Sequence, residues 1–237
     1  MKIGVLQGDD IGYEVVPECV KVLKVAAAHT GLHVDWIPLP IGKEGHEKYG
    51  KTTPDETIQE LQNTDGWIMG PIGHRAYPRN DPTWIMPPIR KLFDLFANVK
   101  PVKSYENIPS VHKNVDIVFL REVTEGMQSW DTNISGSGEF RPNDEISVGS
   151  RIITRKGSRR IAMEAFKIAR TRQRKQVTAV HKEAVYRLTC GMFAEECRKV
   201  ASEFPDVEFN EIHIDTIAAH LVMDPAQFDV IVTTNQF

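Results

Sequence analysis

Lysine and aspartate stand at two predicted junctions between a strand and a helix, where α/β enzymes place reactive groups. Lys182 follows an apolar strand that ends at His181, and its amine is a candidate general base. Asp215 follows a second apolar strand, and its carboxylate offers the hard oxygen that Mg²⁺ or Mn²⁺ prefers. The pattern alone also fits a solvated surface lysine and an ordinary helix N-cap.

Three basic residues form the next candidate feature. Arg90, Lys100 and Arg121 would suit a di-acid if they converge on one pocket, because a guanidinium group binds a carboxylate through two parallel hydrogen bonds. They are spread over about thirty residues of sequence, and solvated surface charges are the alternative. The sequence thus offers a base, a metal ligand and a dianion site, which the fold must bring together.

Predicted strands and helices alternate in the first part of the chain. Residues 2–6 predict a buried strand, and residues 11–29 a helix with apolar residues at helical spacing. The GDDIG turn at residues 8–12 is not GxGxxG and indicates no Rossmann phosphate cradle. The rhythm predicts an α/β fold with a largely parallel sheet. Its change near residue 99 predicts a first domain over 1–99 and a second over 100–237.

The second domain is predicted to continue this alternation after a polar, Gly-rich segment. Residues 147–155 and 176–181 predict strands. Ser158 is the candidate N-cap of a helix that ends at Arg170, and residues 184–204 predict a long amphipathic helix.

The composition fits a globular protein with no general attraction to nucleic acid or membrane, and neither is an expected partner. The 237 residues carry a formal net charge of −3, and 41% of them are hydrophobic. No apolar run approaches the ~18 residues that a membrane span needs. Cys190 and Cys197 lie in a helical pattern, which favours buried reduced thiols over a metal site or disulfide. We therefore expect a cytoplasmic protein.

Five short segments follow one another in an order that is more informative than any one of them. They are GDDIG at 8–12, IRKLFDLFANVKP at 89–101, REVTEG at 121–126, VHK at 180–182, and ID at 214–215 with HLV at 220–222. The first three resemble GDGIG, LRxxxDLYANxRP and RENTEG of the β-decarboxylating dehydrogenases, and the last two resemble that family's lysine and aspartate motifs. The family includes isocitrate, isopropylmalate, homoisocitrate, tartrate and D-malate dehydrogenases, and the resemblance covers the whole chain.

The resemblance implies an isopropylmalate dehydrogenase-like fold of two domains and a role for each candidate residue. Arg90, Lys100 (arginine in the family) and Arg121 would hold the carboxylates of a 2-hydroxy di-acid. Lys182 would be the base while hydride leaves for NAD or NADP. Asp215 would be one ligand of the Mg²⁺ or Mn²⁺ ion that stabilises the enolate left by loss of CO₂.

The resemblance also implies a homodimer. Lys182 and Asp215 would project into the active site of the neighbouring subunit. Residues 129–151 correspond to the segment that clasps the two subunits together in this family. Catalysis would then depend on the dimer.

The chain departs from the family pattern at three places. Gln128 stands where the family has the tyrosine that protonates the enol, and neutral glutamine does not deliver that proton. Ala184 replaces the asparagine of the family's Lys-x-Asn. Residues 229–235 resemble the segment just before the family's GDILSD, so we expect a chain that lacks the C-terminal third and turns over little by itself. A catalytically degraded member that acts as a binding or regulatory subunit is the alternative.

The stretch before Arg90 sets substrate specificity in this family. Trp84 and Met86 in this stretch are apolar and disfavour a third carboxylate, because a buried ion needs a partner. This favours a malate-type acid with an apolar or small 3-substituent, within the class of 3-isopropylmalate, isocitrate, tartrate and D-malate. Simple core packing of Trp84 and Met86 is the alternative.

Overall fold

The computed structural model describes residues 1–73, 86–127 and 138–237. Two compact units divide the chain, Met1–Met86 and Pro87–Phe237. Trp84, Gln128 and the side chain of Met86 lie outside what the structure describes.

The first unit contains a three-stranded parallel sheet with helices in the connections, as parallel pairing requires. Its elements are β1 Lys2–Leu6, α1 Gly12–His29, β2 Asp35–Pro38, α2 Lys43–Tyr49, α3 Asp55–Gln62 and β3 Gly66–Met69. The order in the sheet is β2-β1-β3. The strand and helix predicted at its start are confirmed, whereas α2 was not predicted, because its sequence KEGHEKY carries no apolar stripe.

The turn at residues 8–12 joins three parts of this unit. Asp10, where the family has glycine, has a φ of 48°, a left-handed conformation that aspartate tolerates better than most residues. The buried Asp9 carboxylate accepts hydrogen bonds from the backbone N–H groups of Lys43 (2.7 Å) and Gly73 (2.9 Å). The Asp9 carboxylate of this motif is therefore structural.

The remaining elements surround a second, larger sheet. They are α4 Met86–Leu92, β4 Ala97–Lys103, β5 Asp116–Glu122, β6 Glu139–Asn143, β7 Ile146–Gly149, α5 Arg155–Arg170, β8 Gln176–His181, α6 Thr189–Ser202, β9 Glu208–His213, α7 Ile214–Met223 and β10 Val230–Thr233. The sheet has the order β4-β5-β10-β8-β9. All of its neighbours are parallel except β4, an antiparallel edge strand, so the predicted largely parallel sheet is confirmed.

The division between the units differs from the boundary predicted near residue 99. Strand β4 begins at Ala97 and pairs with β5 along its whole length, from Ala97 opposite Glu122 to Lys103 opposite Asp116. Its backbone hydrogen bonds therefore place residues 97–99 in the sheet of the second unit.

The two faces of the larger sheet are covered unequally. Helices α5 and α6 cover one face, where Phe166 and Phe193 are fully buried. Helix α7 packs on the other face, with Ile217 in a cluster around Val180. The parallel strands bring their carboxyl ends to one edge, the place where open α/β sheets bind ligands. In the described part of the chain, none of the helices has the length and hydropathy of a membrane span.

A separate antiparallel hairpin, formed by β6 and β7, has only exposed residues. It lies inside residues 129–151, the predicted dimer clasp, of which 129–137 are not described. The strand predicted over 147–155 is wrong in extent, because β7 ends at Gly149.

Helix α5 begins at Arg155, before the predicted cap Ser158. Thr154 is the cap, since its side chain accepts a hydrogen bond from the N–H of Gly157 at 2.9 Å.

Candidate active site

Two arginine side chains stand close together without a carboxylate partner among the described residues. Arg90 lies on α4 and Arg121 near the carboxyl end of β5, and both are half-buried. Burial lowers the pKa of Arg90, and repulsion from the Arg121 guanidinium lowers it further. The buried Nε of Arg121 has no hydrogen-bond partner among the described groups. Such a pair favours an anionic ligand, because partly buried charges need a counter-charge.

Lys100, the third predicted cation, stands on the same face of the sheet as Arg121. Asn98 is opposite Arg121 and Lys100 is opposite Phe119 in the β4–β5 ladder, and residues two apart share a face. Exposed Lys100 lines a cavity of about 260 Å³ together with Arg121 and Asn98. Helix α7 supplies an apolar wall, so the cavity combines cations with apolar contact.

Lys182 and Asp215 meet in an ion pair. Lys182 comes directly after β8, and its ammonium group contacts the Asp215 carboxylate in the first turn of α7. The helix N-cap is His213, so Asp215 is not the cap that the pattern left open. The Asp215 side chain is 65% exposed and Lys182 is 24% exposed, so the carboxylate stays accessible to a further ligand.

The residues on either side of Lys182 in sequence, His181 and Glu183, form a hydrogen-bonded network with Glu211 and Arg198. His181 Nε2 lies 3.1 Å from Glu211, and His181 Nδ1 accepts a hydrogen bond from the Glu183 N–H at 3.2 Å, so the neutral ring carries its proton on Nε2. Arg198 on α6 donates to Glu211 at 2.9 Å and to Glu183 at 2.6 Å. Burial lowers the pKa of His181, and hydrogen bonding from Arg198 lowers that of Glu183.

The sequence did not point to Arg198 or Glu211. The available sequence signal was that the ionisable residues His181 and Glu183 adjoin Lys182. Their spacing in sequence does not indicate that they contact Arg198 on α6 or Glu211 on β9.

Asp215 fits a divalent cation better than the acidic residues of that network. Its exposed carboxylate is a hard oxygen donor, although Mg²⁺ would recruit further oxygens. Ligand atoms of His181, Glu183 and Glu211 lie within 4.8 Å of one another. The Glu183 and Glu211 side chains are 35% and 27% exposed, against 65% for Asp215, so Asp215 is the most accessible of the three carboxylates, although it too has a basic partner, Lys182.

The turn at residues 8–12 does not fit a dinucleotide pyrophosphate. A Cβ added at Gly8 would lie 2.2 Å from the Pro71 carbonyl oxygen, and one at Gly12 would lie 2.2 Å from the Gln7 carbonyl oxygen. Protein backbone fills the space that a phosphate occupies in a Gly-rich cradle. The turn at residues 8–12 is therefore not a candidate pyrophosphate cradle.

The fold brings the candidate residues to one edge of the sheet in two groups. Arg121 of β5 is opposite Thr233 of β10, which is opposite Val180 of β8. One strand thus separates Arg121 from the strand that precedes Lys182, a backbone distance of roughly 10 Å. Within the described residues, no contact joins the arginines to the Lys182–Asp215 pair.

A family model described as isocitrate/isopropylmalate dehydrogenase matches residues 2–237. The chain belongs to the isocitrate/isopropylmalate dehydrogenase family. The curated 3-isopropylmalate dehydrogenase of Archaeoglobus fulgidus is 38% identical over 236 residues, and the homoisocitrate dehydrogenase of Methanocaldococcus jannaschii is 34% identical over 251. Both matches cover all of this chain and 67% of the relative. This chain therefore spans about two thirds of the length of these relatives.

Solved structures of the isocitrate/isopropylmalate dehydrogenase family share the fold. The crystal structure of isocitrate dehydrogenase from Methylococcus capsulatus has a TM-score of 0.85 and is 33% identical. The match covers 99% of this chain and 67% of that chain. The predicted α/β fold of the isopropylmalate dehydrogenase type is confirmed.

Proposed function

We propose that the protein is an NAD(P)-dependent dehydrogenase that oxidises and decarboxylates a malate-type 2-hydroxy di-acid with the help of Mg²⁺ or Mn²⁺. Its relatives support this class, since their names are 3-isopropylmalate, homoisocitrate and isocitrate/homoisocitrate dehydrogenase.

The Arg90–Arg121 pair is the observation that carries the proposal. A dicarboxylate beside the two guanidinium groups would accept parallel hydrogen bonds and would supply the missing negative charge. Lys100 adds a third cation to the cavity that Arg121 lines. The apolar wall from α7 suits a small or apolar 3-substituent and offers no partner to a third carboxylate.

Lys182 is the proposed base. It would take the proton of the 2-hydroxyl while the hydrogen on C2 leaves as hydride for the nicotinamide, which converts the alcohol to a ketone. The β-keto acid then loses CO₂, and the electron pair of the broken C–C bond forms an enolate. Asp215 would hold the divalent cation, which supplies positive charge close to the keto oxygen.

The proposed enzyme is a homodimer with shared sites. Lys182 and Asp215 of one subunit would serve the substrate held by Arg90, Lys100 and Arg121 of the other. This division of labour agrees with the absence, among the described residues, of a direct contact between the two groups in one chain. We expect the enzyme in the cytoplasm, where its three free cysteines would stay reduced.

Turnover tests the proposal. The purified protein is incubated with a panel of malate-type acids, Mn²⁺ and either NAD or NADP, and reduced nicotinamide is followed. Lys182→Met should lower kcat by about 10²–10⁴-fold, because proton transfer loses its acceptor. Lys156→Met, at an exposed lysine of α5, is the matched control and should keep full activity. Unchanged activity in Lys182→Met would remove this lysine from the mechanism.

A catalytically degraded family member that binds a di-acid as a regulatory subunit is the second candidate. Ala184 favours it, because this exposed residue offers no polar group where the family has asparagine. Binding of a di-acid without reduction of either nicotinamide, for every acid of the panel, would support this function over the first.

A further inference from the structure

We propose that Arg198 is a positioning residue for Lys182. It holds Glu183 and Glu211, and through them it fixes the peptide that carries the Lys182 amine. This role rests on the proposed function of Lys182 as the base.

The network constrains the residue on each side of Lys182. On one side, the buried His181 ring uses both nitrogens, one towards Glu211 and one towards the Glu183 N–H. On the other side, the Glu183 carboxylate is held by Arg198 at 2.6 Å. Both residues that flank Lys182 are therefore held by hydrogen bonds, which restrict the backbone that carries its amine.

Strand β9 connects this network to Asp215, the residue that the Lys182 amine contacts. Glu211 lies on β9, opposite Ala179 of β8, and Asp215 follows four residues later in α7. The bond from Arg198 Nε to Glu211 (2.9 Å) fixes α6 to the same strand. Arg198 thereby holds Lys182 in register with Asp215.

The exposure of these groups argues for positioning rather than for global stability. The side chains of Arg198 and Glu183 are 46% and 35% exposed, and ion pairs in such surroundings contribute little to stability. Arg159 of α5 and Glu203, the residue after α6, form a matched pair with two contacts at 2.7 and 3.1 Å and exposures of 44% and 42%. This second pair is the control, because it holds no residue beside Lys182.

Acylation by acetic anhydride measures how accessible the Lys182 amine is, and it does not require turnover. The full chain is pulse-labelled with acetic anhydride, and labelling of each lysine is measured by peptide mass spectrometry. In Arg198→Met, labelling of Lys182 should rise roughly fivefold, because local opening releases the ammonium group from Asp215. Glu183→Gln breaks the same link at a half-exposed site and should act in the same direction. Arg159→Met should leave Lys182 labelling unchanged.

Kinetics provide the second readout. In Arg198→Met, kcat should fall by about 10- to 100-fold while KM changes little, because the base is misplaced and the arginines that bind the substrate are intact. Arg198→Lys should recover part of kcat, since an ammonium group reaches one carboxylate but does not form the fork.

Two outcomes would overturn the role of Arg198. One is unchanged Lys182 labelling in both Arg198→Met and Glu183→Gln. The other is a uniform rise at all lysines that Arg159→Met reproduces. Wild-type protein without turnover would count against the proposed function, while labelling would still decide whether Arg198 positions Lys182.

Discussion

At the scale of single residues, the structure shows that Arg90 and Arg121 are neighbours without a counter-charge among the described residues. A buried donor without a partner, such as Nε of Arg121, costs about 1–3 kcal/mol, which a bound carboxylate would remove. Residue type and spacing did not predict that Arg90 and Arg121 are neighbours, since a helix and a strand far apart in sequence carry them. The family resemblance did predict their common role, which remains a proposal until binding is measured.

Glu125 is the residue for which we predict a specific pH dependence. Burial raises its pKa above the usual range, against the hydrogen bonds that it accepts from Thr154. The native state then keeps this proton to higher pH than the unfolded chain. Its contribution to the free energy of unfolding therefore falls as the pH rises from the usual pKa range of a glutamate carboxyl through the raised native pKa.

Replacement with glutamine tests this dependence. The free energy of unfolding of wild type minus that of Glu125→Gln, from urea titrations at several pH values, should decrease with pH across this window. Exposed Glu208→Gln is the control and should show no such trend. A difference that grows with pH would contradict the assignment.

At the scale of elements, the sequence predicted which segments form helices better than where they begin. Helix α5 was expected from Ser158, but Thr154 has the extended backbone and the hydroxyl that accepts from Gly157. Helix α6 was expected from residue 184 and begins at Thr189. Residues 184–188 keep the apolar spacing of a helix but form a turn before α6. In this turn the Lys182 carbonyl accepts hydrogen bonds from the N–H groups of Val185 and Tyr186, which the spacing of apolar residues does not reveal.

The Thr154 cap gives a prediction at this scale. Its hydroxyl accepts from the Gly157 N–H at 2.9 Å and donates to Glu125 at 2.6 Å. Thr154→Val should lower the free energy of unfolding by about 1–2 kcal/mol, because both bonds are lost. Thr171→Val removes a hydroxyl at the other end of α5 and should change stability by less than about 0.5 kcal/mol in a urea titration. Equal effects of the two changes would contradict the cap assignment.

At the scale of the whole molecule, alternation of strands and helices was enough to predict the fold class. It was not enough to predict the order β4-β5-β10-β8-β9, because β10 enters the sheet between strands that precede it in sequence. That insertion places Thr233 between Arg121 and Val180, and it separates the two groups of site residues. Long-range pairing of this kind carries no local sequence signal.

Shared sites predict complementation between inactive variants. Arg121→Met and Lys182→Met should each be inactive as homodimers. Co-expressed in equal amounts, they should regain about one quarter of wild-type activity, because half of the dimers are mixed and each mixed dimer has one intact site. Co-expression with Arg121→Met/Lys182→Met in place of one partner should restore none. Failure of the two single variants to complement, in a mixture shown to contain mixed dimers, would contradict shared sites.

Calorimetric titration with a malate-type di-acid tests the central claim most directly, since that claim is the dianion site at Arg90 and Arg121. Wild type and the exposed control Arg170→Met should bind with the same Kd. Arg121→Met should bind roughly 10- to 100-fold more weakly, because a charged hydrogen bond contributes about 1.5–3 kcal/mol. Equal binding by Arg121→Met and wild type, or no binding by wild type, would contradict the account.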